Sequence, residues 1–347
     1  MRVGTFVLAA QFPGQGQQEA LHRAVRTAEA AEEAGLDSVW LAEHHFVPYG
    51  VCPSAVTLAA LLLGRTRRLR VGTAVSVLPN AHPVALGEQA ALLHVASGGR
   101  FTLGVGRGGP WVDLEVFGAG LPAYEAGFPE SLDLLLRWLR EPRVGAEGGR
   151  FAFREVAVVP GPGELIGGAA SPEVVLACTS PKSVRLAAER GLPMLLGMHC
   201  GDEEKAEMVA CWERYAGEAG RSRDEIGRIG AGHVSAGVVQ LADRAADAAE
   251  ALVKAMPGWL KQGLDAHVTV DGRHRAMRDP VAYTELLCGL HPVGTPRQAA
   301  DRLAATSERT GITRFALLAE GSGELAATEE NVRRLGAEVL PLLARPA

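Results

Sequence analysis

The feature that most constrains this chain is a rhythm: short apolar runs alternate with helix-period segments eight times along nearly its whole length. A strand followed by a helix and then another strand makes parallel pairs, because the helical crossover returns the chain to the same end of the sheet. The runs fall at about 2–9, at Ser38–Ala42, at about 69–77, at Phe101–Val105, at about 173–178, 192–197 and 228–239, and at Ile312–Ala319. Helices are expected at about 18–34, 54–64, 83–97, 129–140, 182–190, 203–219, 243–256, 296–310 and 324–343, the first stopped by Gly35. An open doubly wound sheet is the alternative, but eight such regular units favour closure into a (β/α)8 TIM barrel of the α/β class. Two excursions interrupt the rhythm. Residues 143–170 hold Gly148-Gly149, a strand-like Arg150–Val159 and a Pro/Gly/Ala-rich loop; residues 257–292 read as irregular, with charges, Gly and His. With no internal repeat and no low-complexity linker, residues 1–347 are expected to form a single domain.

Composition narrows the class. A chain of 347 residues, 47% hydrophobic, can bury a large core without disulfides or metals. The net charge of -5 is spread over interspersed acids and bases, which gives no basic footprint for nucleic acid. The five cysteines, Cys52, Cys178, Cys200, Cys211 and Cys288, form no C-x-x-C, so neither a zinc knuckle nor a redox dithiol is expected. Scattered thiols of odd number fit a reducing cytoplasm. The N-terminus opens on a strand rather than a signal peptide, and no apolar run reaches the ~18 residues a membrane span needs.

In such a barrel chemistry sits at the C-terminal ends of the strands. The second strand runs into Glu43-His44-His45-Phe46, where His44 is a candidate general acid/base with His45 its structural neighbour. A purely structural histidine is the alternative, and no further ligands nearby suggest a metal. The fourth strand ends in Gly104-Val105-Gly106-Arg107-Gly108-Gly109, which satisfies G-x-G-x-x-G. A dinucleotide site is a poor reading, because Pro110-Trp111 intervenes before any helix. A plain glycine turn stays open. After the fifth strand, Thr179-Ser180-Pro181-Lys182-Ser183 reads as a capped helix start, and equally as an anion site. Phe46, Tyr49, Trp111 and Phe117 are candidates, by position alone, for the substrate face. The helix around Ala55–Leu63 is apolar on every face, and that at 83–96 nearly so apart from Glu88, Gln89 and His94. Helices 54–63 and 83–96 are therefore expected to meet a second copy across a two-fold axis, with Leu62→Asp splitting the homodimer. Burial under the chain's own loops is the alternative.

Several collinear stretches carry a resemblance. The run Ala34-Gly35-Leu36-Asp37-Ser38-Val39-Trp40-Leu41-Ala42-Glu43-His44-His45-Phe46 resembles bacterial luciferase, and so do Val71-Gly72-Thr73-Ala74, Leu78-Pro79, Ala81-His82-Pro83, Gly99-Arg100-Phe101, Arg107-Gly108 and Val116-Phe117-Gly118. Ala188-Glu189-Arg190-Gly191-Leu192-Pro193-Met194 and Pro292-Val293-Gly294-Thr295-Pro296 continue it. The chain thus resembles the luciferase-like flavin-dependent monooxygenases. That resemblance implies the barrel, a site for FMN used in reduced form as a co-substrate, and oxidation of a small organic substrate by O2 through a hydroperoxyflavin. With no second nucleotide domain, a separate flavin reductase is the implied partner. The resemblance places the flavin phosphate on Arg107, Ser180 and Ser183. It places the flavin ring beside Ala74, Val75 and Gly106, with a non-proline cis bond between Ala74 and Val75. This chain departs from bacterial luciferase at Gly106, where the relative has a reactive cysteine. It departs again at Phe128-Pro129-Glu130, where a second phosphate arginine has no match. The segment 257–292, with Lys261, His267, Arg273, His274, Arg275 and Arg278, corresponds to a mobile lid in the luciferase catalytic subunit, against a plain solvated loop. Two other functions stay open: a deazaflavin-dependent hydride-transfer enzyme on the same barrel, and a non-catalytic flavin-binding protein.

Overall fold

The structure is a computed structural model that describes residues 1–108, 111–163, 165–266 and 279–344. Its eight parallel barrel strands are β1 (Arg2–Val7), β2 (Ser38–Leu41), β3 (Arg70–Thr73), β4 (Phe101–Gly106), β5 (Glu173–Cys178), β6 (Met194–Leu196), β7 (Val234–Val238) and β8 (Arg314–Leu318). Each pairs with the next, and β8 returns to β1 with Arg2 opposite Arg314 and Phe6 opposite Leu318. Closure decides against the open sheet. The surrounding helices are α1 (Gln17–Glu33), α2 (Ala55–Arg65), α3 (Pro83–Ala96), α4 (Phe128–Arg140), α5 (Pro181–Arg190), α6 (Asp202–Glu218), α7 (Ala245–Ala266), α8 (Pro280–Leu290), α9 (Pro296–Thr310) and α10 (Leu325–Arg334).

Strand alternation sorts the side chains into two cores. Phe6, Trp40, Val175, Val234, Ala316 and Leu318 fill the barrel, while Val3, Val7, Val39, Leu176 and Leu317 point out into a larger core shared with the helices. Inside, the Trp40 indole takes the room that a side chain at position 72 would need: a Cβ on Gly72 would lie 2.6 Å from it. Below Trp40 the barrel is plugged by Arg314, which donates to both carboxylate oxygens of Glu173 at 2.7 and 2.9 Å. The excursion after α4 is an antiparallel hairpin, Arg143–Glu147 with Ala152–Ala157, docked on α4 through Val144, Val158, Leu134 and Trp138.

Several expectations are corrected. The third strand is not continuous over 69–77: it stops at Thr73 and resumes as Ser76–Val77, with the Ala74–Val75 peptide bond between them in the cis form that the resemblance implied. The seventh strand begins at Val234, not near 228, because Arg223–Gly230 is a helix. Its Ile229 lies inside the expected strand and supplies apolar character that alternation misreads. Ser222 and Glu225 close its N-terminus as a reciprocal capping box. Helix α7 does not end near 256. It runs through Pro257 to Ala266, and Pro280–Leu290 is also helical, so the stretch 257–292 is largely ordered helix where described. Proline removes one helix hydrogen bond, yet Met256, Trp259 and Leu260 bury completely or nearly so against the barrel mouth and hold the helix on course. Residues 267–278 of the expected lid lie outside the described residues, with His267, Arg273, His274, Arg275 and Arg278. The closing helix is broken by a π-helical turn at Leu335–Val339.

The dimer expectation needs a different residue. Leu62 is fully buried in this chain's own core. The outward apolar groups on α2 and α3 are Leu61, Leu92 and Val95, at 49%, 57% and 48% exposure. Among the described residues no helix is long and apolar enough to cross a membrane.

Candidate active site

The end of β2 is fixed by one carboxylate. Glu43 Oε1 accepts from the Val77 N–H at 3.1 Å and Oε2 from the Ala55 N–H at 3.3 Å. It therefore ties β2 both to the segment beyond the cis bond and to the first turn of α2, where the helix dipole favours a negative charge. His45 is buried, its Nε2 3.4 Å from Glu43 Oε1, and its ring meets Phe117 edge-on at 4.9 Å. Phe46, with a left-handed φ of 60°, is thrown outward and packs tilted on Phe117 at 5.7 Å. His45, Phe46 and Phe117 thus come together as an aromatic rim.

His44 faces the other way. Its backbone N–H donates to Cys52 O at 3.0 Å, and its ring meets Tyr49 edge-on at 5.1 Å. Tyr49 stacks flat on Trp259 of α7 at 4.6 Å and 6°, and Trp259 Nε1 donates to Tyr49 O at 2.7 Å. Burial pushes the Tyr49 phenol up, with smaller contributions from Tyr283 and Glu320. Gly50 closes the pocket behind His44: a Cβ there would stand 2.8 Å from His44 Nδ1 and 2.7 Å from Leu8 O. Ala74 and Val75 pack, partly buried, on the same interior cluster as Tyr49 and Trp259.

The floor beside this pocket is set by a buried ion pair. Glu320, just beyond β8, accepts from the Leu8 N–H at 2.6 Å and lies 3.6 Å from Arg23 Nε. Arg23 in turn donates to the carbonyls of Ala10 and Gly323. Burial pushes the Glu320 carboxyl up, and Arg23 opposes that shift. The pair locks the ends of β1 and β8 together.

The second half of the site lies on β4 and α5. Gly106 has Val75 against it, a Cβ there falling 2.5 Å from Val75 Cγ2. Arg107 is exposed, with its guanidinium seated over the Tyr124 ring at 4.1 Å, and no described carboxylate pairs with it. At the start of α5, Ser180 Oγ accepts from the Ser183 N–H at 3.3 Å. Ser183 Oγ donates to Ser180 O at 2.8 Å and accepts from the N–H groups of Ser180 and Thr179 at 3.1 and 3.2 Å. Both hydroxyls thus serve the cap, Ser180 Oγ also lying 3.1 Å from Ser183 Oγ, and Lys182 stands beside them at the helix start. Trp111 opens a short helix, Trp111–Val116, and its side chain lies outside the described residues, as does Gly109.

Sequence reasoning missed Glu43, Gly50, Trp259 and Tyr124. Glu43 carried a usable signal, since a carboxylate between a strand end and a helix start is a natural partner for orphan helix N–H groups. Nothing local in the sequence marks Tyr124 as the seat of Arg107.

A closed (β/α)8 barrel with a histidine, a free arginine and a hydroxyl-capped helix start around its C-terminal mouth defines a barrel enzyme. The chain belongs to the luciferase-like monooxygenase family, whose model matches residues 1–314. The alkanal monooxygenase alpha chain of Photorhabdus luminescens is 29% identical over 360 residues, covering 99% of this chain and 98% of the relative. Among solved structures, the chain resembles the oxygenating constituent of 3,6-diketocamphane monooxygenase from Pseudomonas putida, a type II Baeyer–Villiger monooxygenase in complex with FMN. The TM-score is 0.78 at 21% identity, with 100% of this chain and 99% of that one covered. An F420-dependent secondary alcohol dehydrogenase gives a TM-score of 0.72 at 17% identity, with 99% of each chain covered. These structural likenesses bear on the fold.

Proposed function

We propose that this chain is an FMN-dependent monooxygenase. It uses reduced FMN, delivered by a separate reductase, and O2 to oxidise a small organic substrate in the cytoplasm, as a single-domain protomer of a homodimer. The observation that carries the reading is that the Tyr49–Trp259 stack and Gly50 hold His44 at the mouth, two strands from Arg107, a cation without a carboxylate partner among the described residues. The residues fit the cofactor. Arg107 offers a planar fork for a phosphate, Ser180 adds a hydroxyl at a helix N-terminus, and Ala74, Val75 and Gly106 present small or aliphatic surfaces between these poles. Ser183 joins the phosphate site when its O–H turns from Ser180 O to donate to the anion.

Reduced FMN, when bound, supplies the two electrons with which O2 is split between product and water. His44 gives or takes the proton through its imidazole. Tyr49 and Trp259 hold the ring in place and exclude water from behind it. Glu43 holds His45 and the β2 end in register. Phe46 and Phe117 give the substrate an apolar rim, and α7, through Trp259 and Leu260, covers the interior at the mouth. The outward leucines of α2 and α3 form the two-fold contact.

The test is anaerobic titration with reduced FMN, followed by isotopically labelled O2 and a panel of long-chain aldehydes and cyclic ketones. Label in the organic product supports the reading. Retention of a deazaflavin, with hydride transfer and no incorporation of oxygen, refutes it.

A further inference from the structure

The opposite end of the barrel carries its own cluster of charge. Two clefts open at the base, of about 420 Å³ beside the C-terminal ends of α4 and α5 and about 530 Å³ under the strand starts. Arg140 lines both. The acids that line them are already matched. Glu141 pairs with Arg137 at 3.2 Å. Asp133 and Glu189 both pair with Arg190, at 2.9 Å each. Glu173 is taken by Arg314 at 2.7 Å. Four further arginines remain, Arg2, Arg140, Arg221 and Arg228; among the described residues none makes an ion pair, and the one carboxylate charge that reaches Arg221 and Arg228 is that of Glu225.

Such a cluster is unusual in a chain with a net charge of -5. Arg140 and Arg221 share the first cleft, and burial there, followed by the Arg221 charge, lowers the pKa of Arg140. Arg221 donates one bond, Nη2 to Glu189 O at 2.8 Å, while its buried Nε has no partner. Its guanidinium rests on Gly191, where a Cβ would come within 2.8 Å of it. The helix C-termini nearby favour cations through their dipoles, but they take up only one of the Arg221 donors and leave its Nε unfilled. Like charges held together with unfilled donors are what a multivalent anion relieves.

We propose that the joined base clefts bind a small oligophosphate, a diphosphate or triphosphate group laid across Arg140 with Arg221 at one end and Arg2 and Arg228 at the other. The elongated arrangement selects against a single phosphate, which cannot reach both clefts. The site is distinct from the mouth, because it is built on strand starts and helix C-termini.

The experiment is calorimetric titration of the full chain with pyrophosphate, orthophosphate and citrate, each at a constant ionic strength of about 0.15 M so that unspecific screening is equal. Pyrophosphate is expected to bind at least about tenfold tighter than either competitor. Arg140→Ser and Arg228→Ser should each weaken it severalfold, and Arg140→Ser with Arg221→Ser by at least about tenfold. Arg107→Ala should leave pyrophosphate affinity unchanged, which separates this site from the mouth. Arg297→Ser on α9 is the charge control. Circular dichroism checks that each variant is folded. Absence of binding at millimolar pyrophosphate overturns the proposal. So does equal affinity for citrate, unchanged affinity in folded Arg140→Ser and Arg228→Ser, or loss of binding on Arg107→Ala.

Discussion

Replacing Gly50 with alanine adds one carbon at the point where the loop, β1 and His44 converge. The new Cβ would sit 2.7 Å from Leu8 O and 2.8 Å from His44 Nδ1. Non-bonded heavy atoms are comfortable near roughly 3.5 Å, so the loop, the imidazole or both must give by about 0.8 Å. Leu8 cannot yield easily, because its N–H is held by buried Glu320 at 2.6 Å. The displacement therefore falls on the loop and on His44. Overpacking of this kind costs ~1–3 kcal/mol, which lowers Tm by a few degrees. A catalytic group misplaced by about 1 Å loses on the order of 100-fold in rate, so turnover should fall by about 10- to 100-fold with reduced-flavin binding unchanged. The assay is product formation at saturating reduced FMN, with any aldehyde or ketone that the wild-type protein oxidises, run beside thermal melts. The decisive comparison is a double-mutant cycle with His44→Ala. If Gly50 acts through His44, Gly50→Ala costs activity in the wild-type background and almost none in the His44→Ala background, while the Tm loss persists in both. An equal loss of activity in both backgrounds refutes the reasoning. So does a lowered Tm with full activity, which would mean that His44 is not positioned by this loop.

Four further outcomes follow from the same geometry. Arg107→Ala should weaken binding of reduced flavin while leaving turnover at saturation largely intact, and His44→Ala should do the reverse with a loss of ~100-fold or more; mutants that fail to separate in this way sink both assignments. Tyr124→Ala removes the seat of the Arg107 guanidinium and should raise the dissociation constant of reduced FMN severalfold without changing the rate at saturation, as fluorescence titration would read. Leu61→Asp with Leu92→Asp should give folded monomers by sedimentation, whereas Leu62→Asp should unfold the protomer, since Leu62 is fully buried in its own core; a dimeric double variant removes the two-fold assignment. His233 and His291 are buried, burial holding their pKa values down at about 4 and about 3. Their neutral forms stabilise the fold fully above pH ~6.5, and that contribution is lost as pH falls from ~6.5 towards 4 and 3, by up to ~1.4 kcal/mol per pH unit for each. Thermal melts should show this slope, reduced in His233→Asn, whose side-chain oxygen can still accept the Met194 N–H that His233 Nδ1 accepts at 2.9 Å.

The architecture was legible because the barrel needs only repetition. Alternation within each strand, such as Val3 and Val7 facing out with Phe6 facing in, is written in neighbouring residues, and closure follows from counting units. The errors arose where one local signal outweighed another of longer reach. The stretch from 257 reads as irregular for its charges, Gly and His, but Trp259 is fully buried against Tyr49 and Phe12, and that tertiary packing carries α7 past Pro257. Ile229 falls within the expected strand, although Ser222 and Glu225 stand at capping-box spacing before it. Leu62 and Leu61 are neighbours of the same type, and only the direction of α2 tells which one meets the core.

The candidate site was legible in its first layer and not in its second, and the division has a physical cause. His44 and Arg107 sit at strand ends, so the fold class alone nominates them. What holds them comes from far along the chain: Tyr49 is fixed by Trp259 and Arg107 by Tyr124. No spacing rule encodes such pairs, because they form only once the barrel has brought strand ends and crossover helices to one face. Glu43 lies between these cases. It adjoins His44 in sequence, yet its partners are the N–H groups of Ala55 and Val77, so its work is to join two consecutive βα units rather than to meet substrate. That arrangement makes a definite demand. Glu43→Gln keeps the shape and one acceptor oxygen but removes the charge that favours the α2 N-terminus, and it turns one acceptor into a donor facing an N–H. It should lower stability by about 1–3 kcal/mol, the usual cost of a buried N–H left without its partner. It should also disturb His45 before His44, since His45 is the ring within 3.4 Å. Ring resonances of both histidines, followed by NMR with His45→Ala for assignment, would read this directly. A shift at His44 alone would mean that the carboxylate serves the catalytic ring and not the junction.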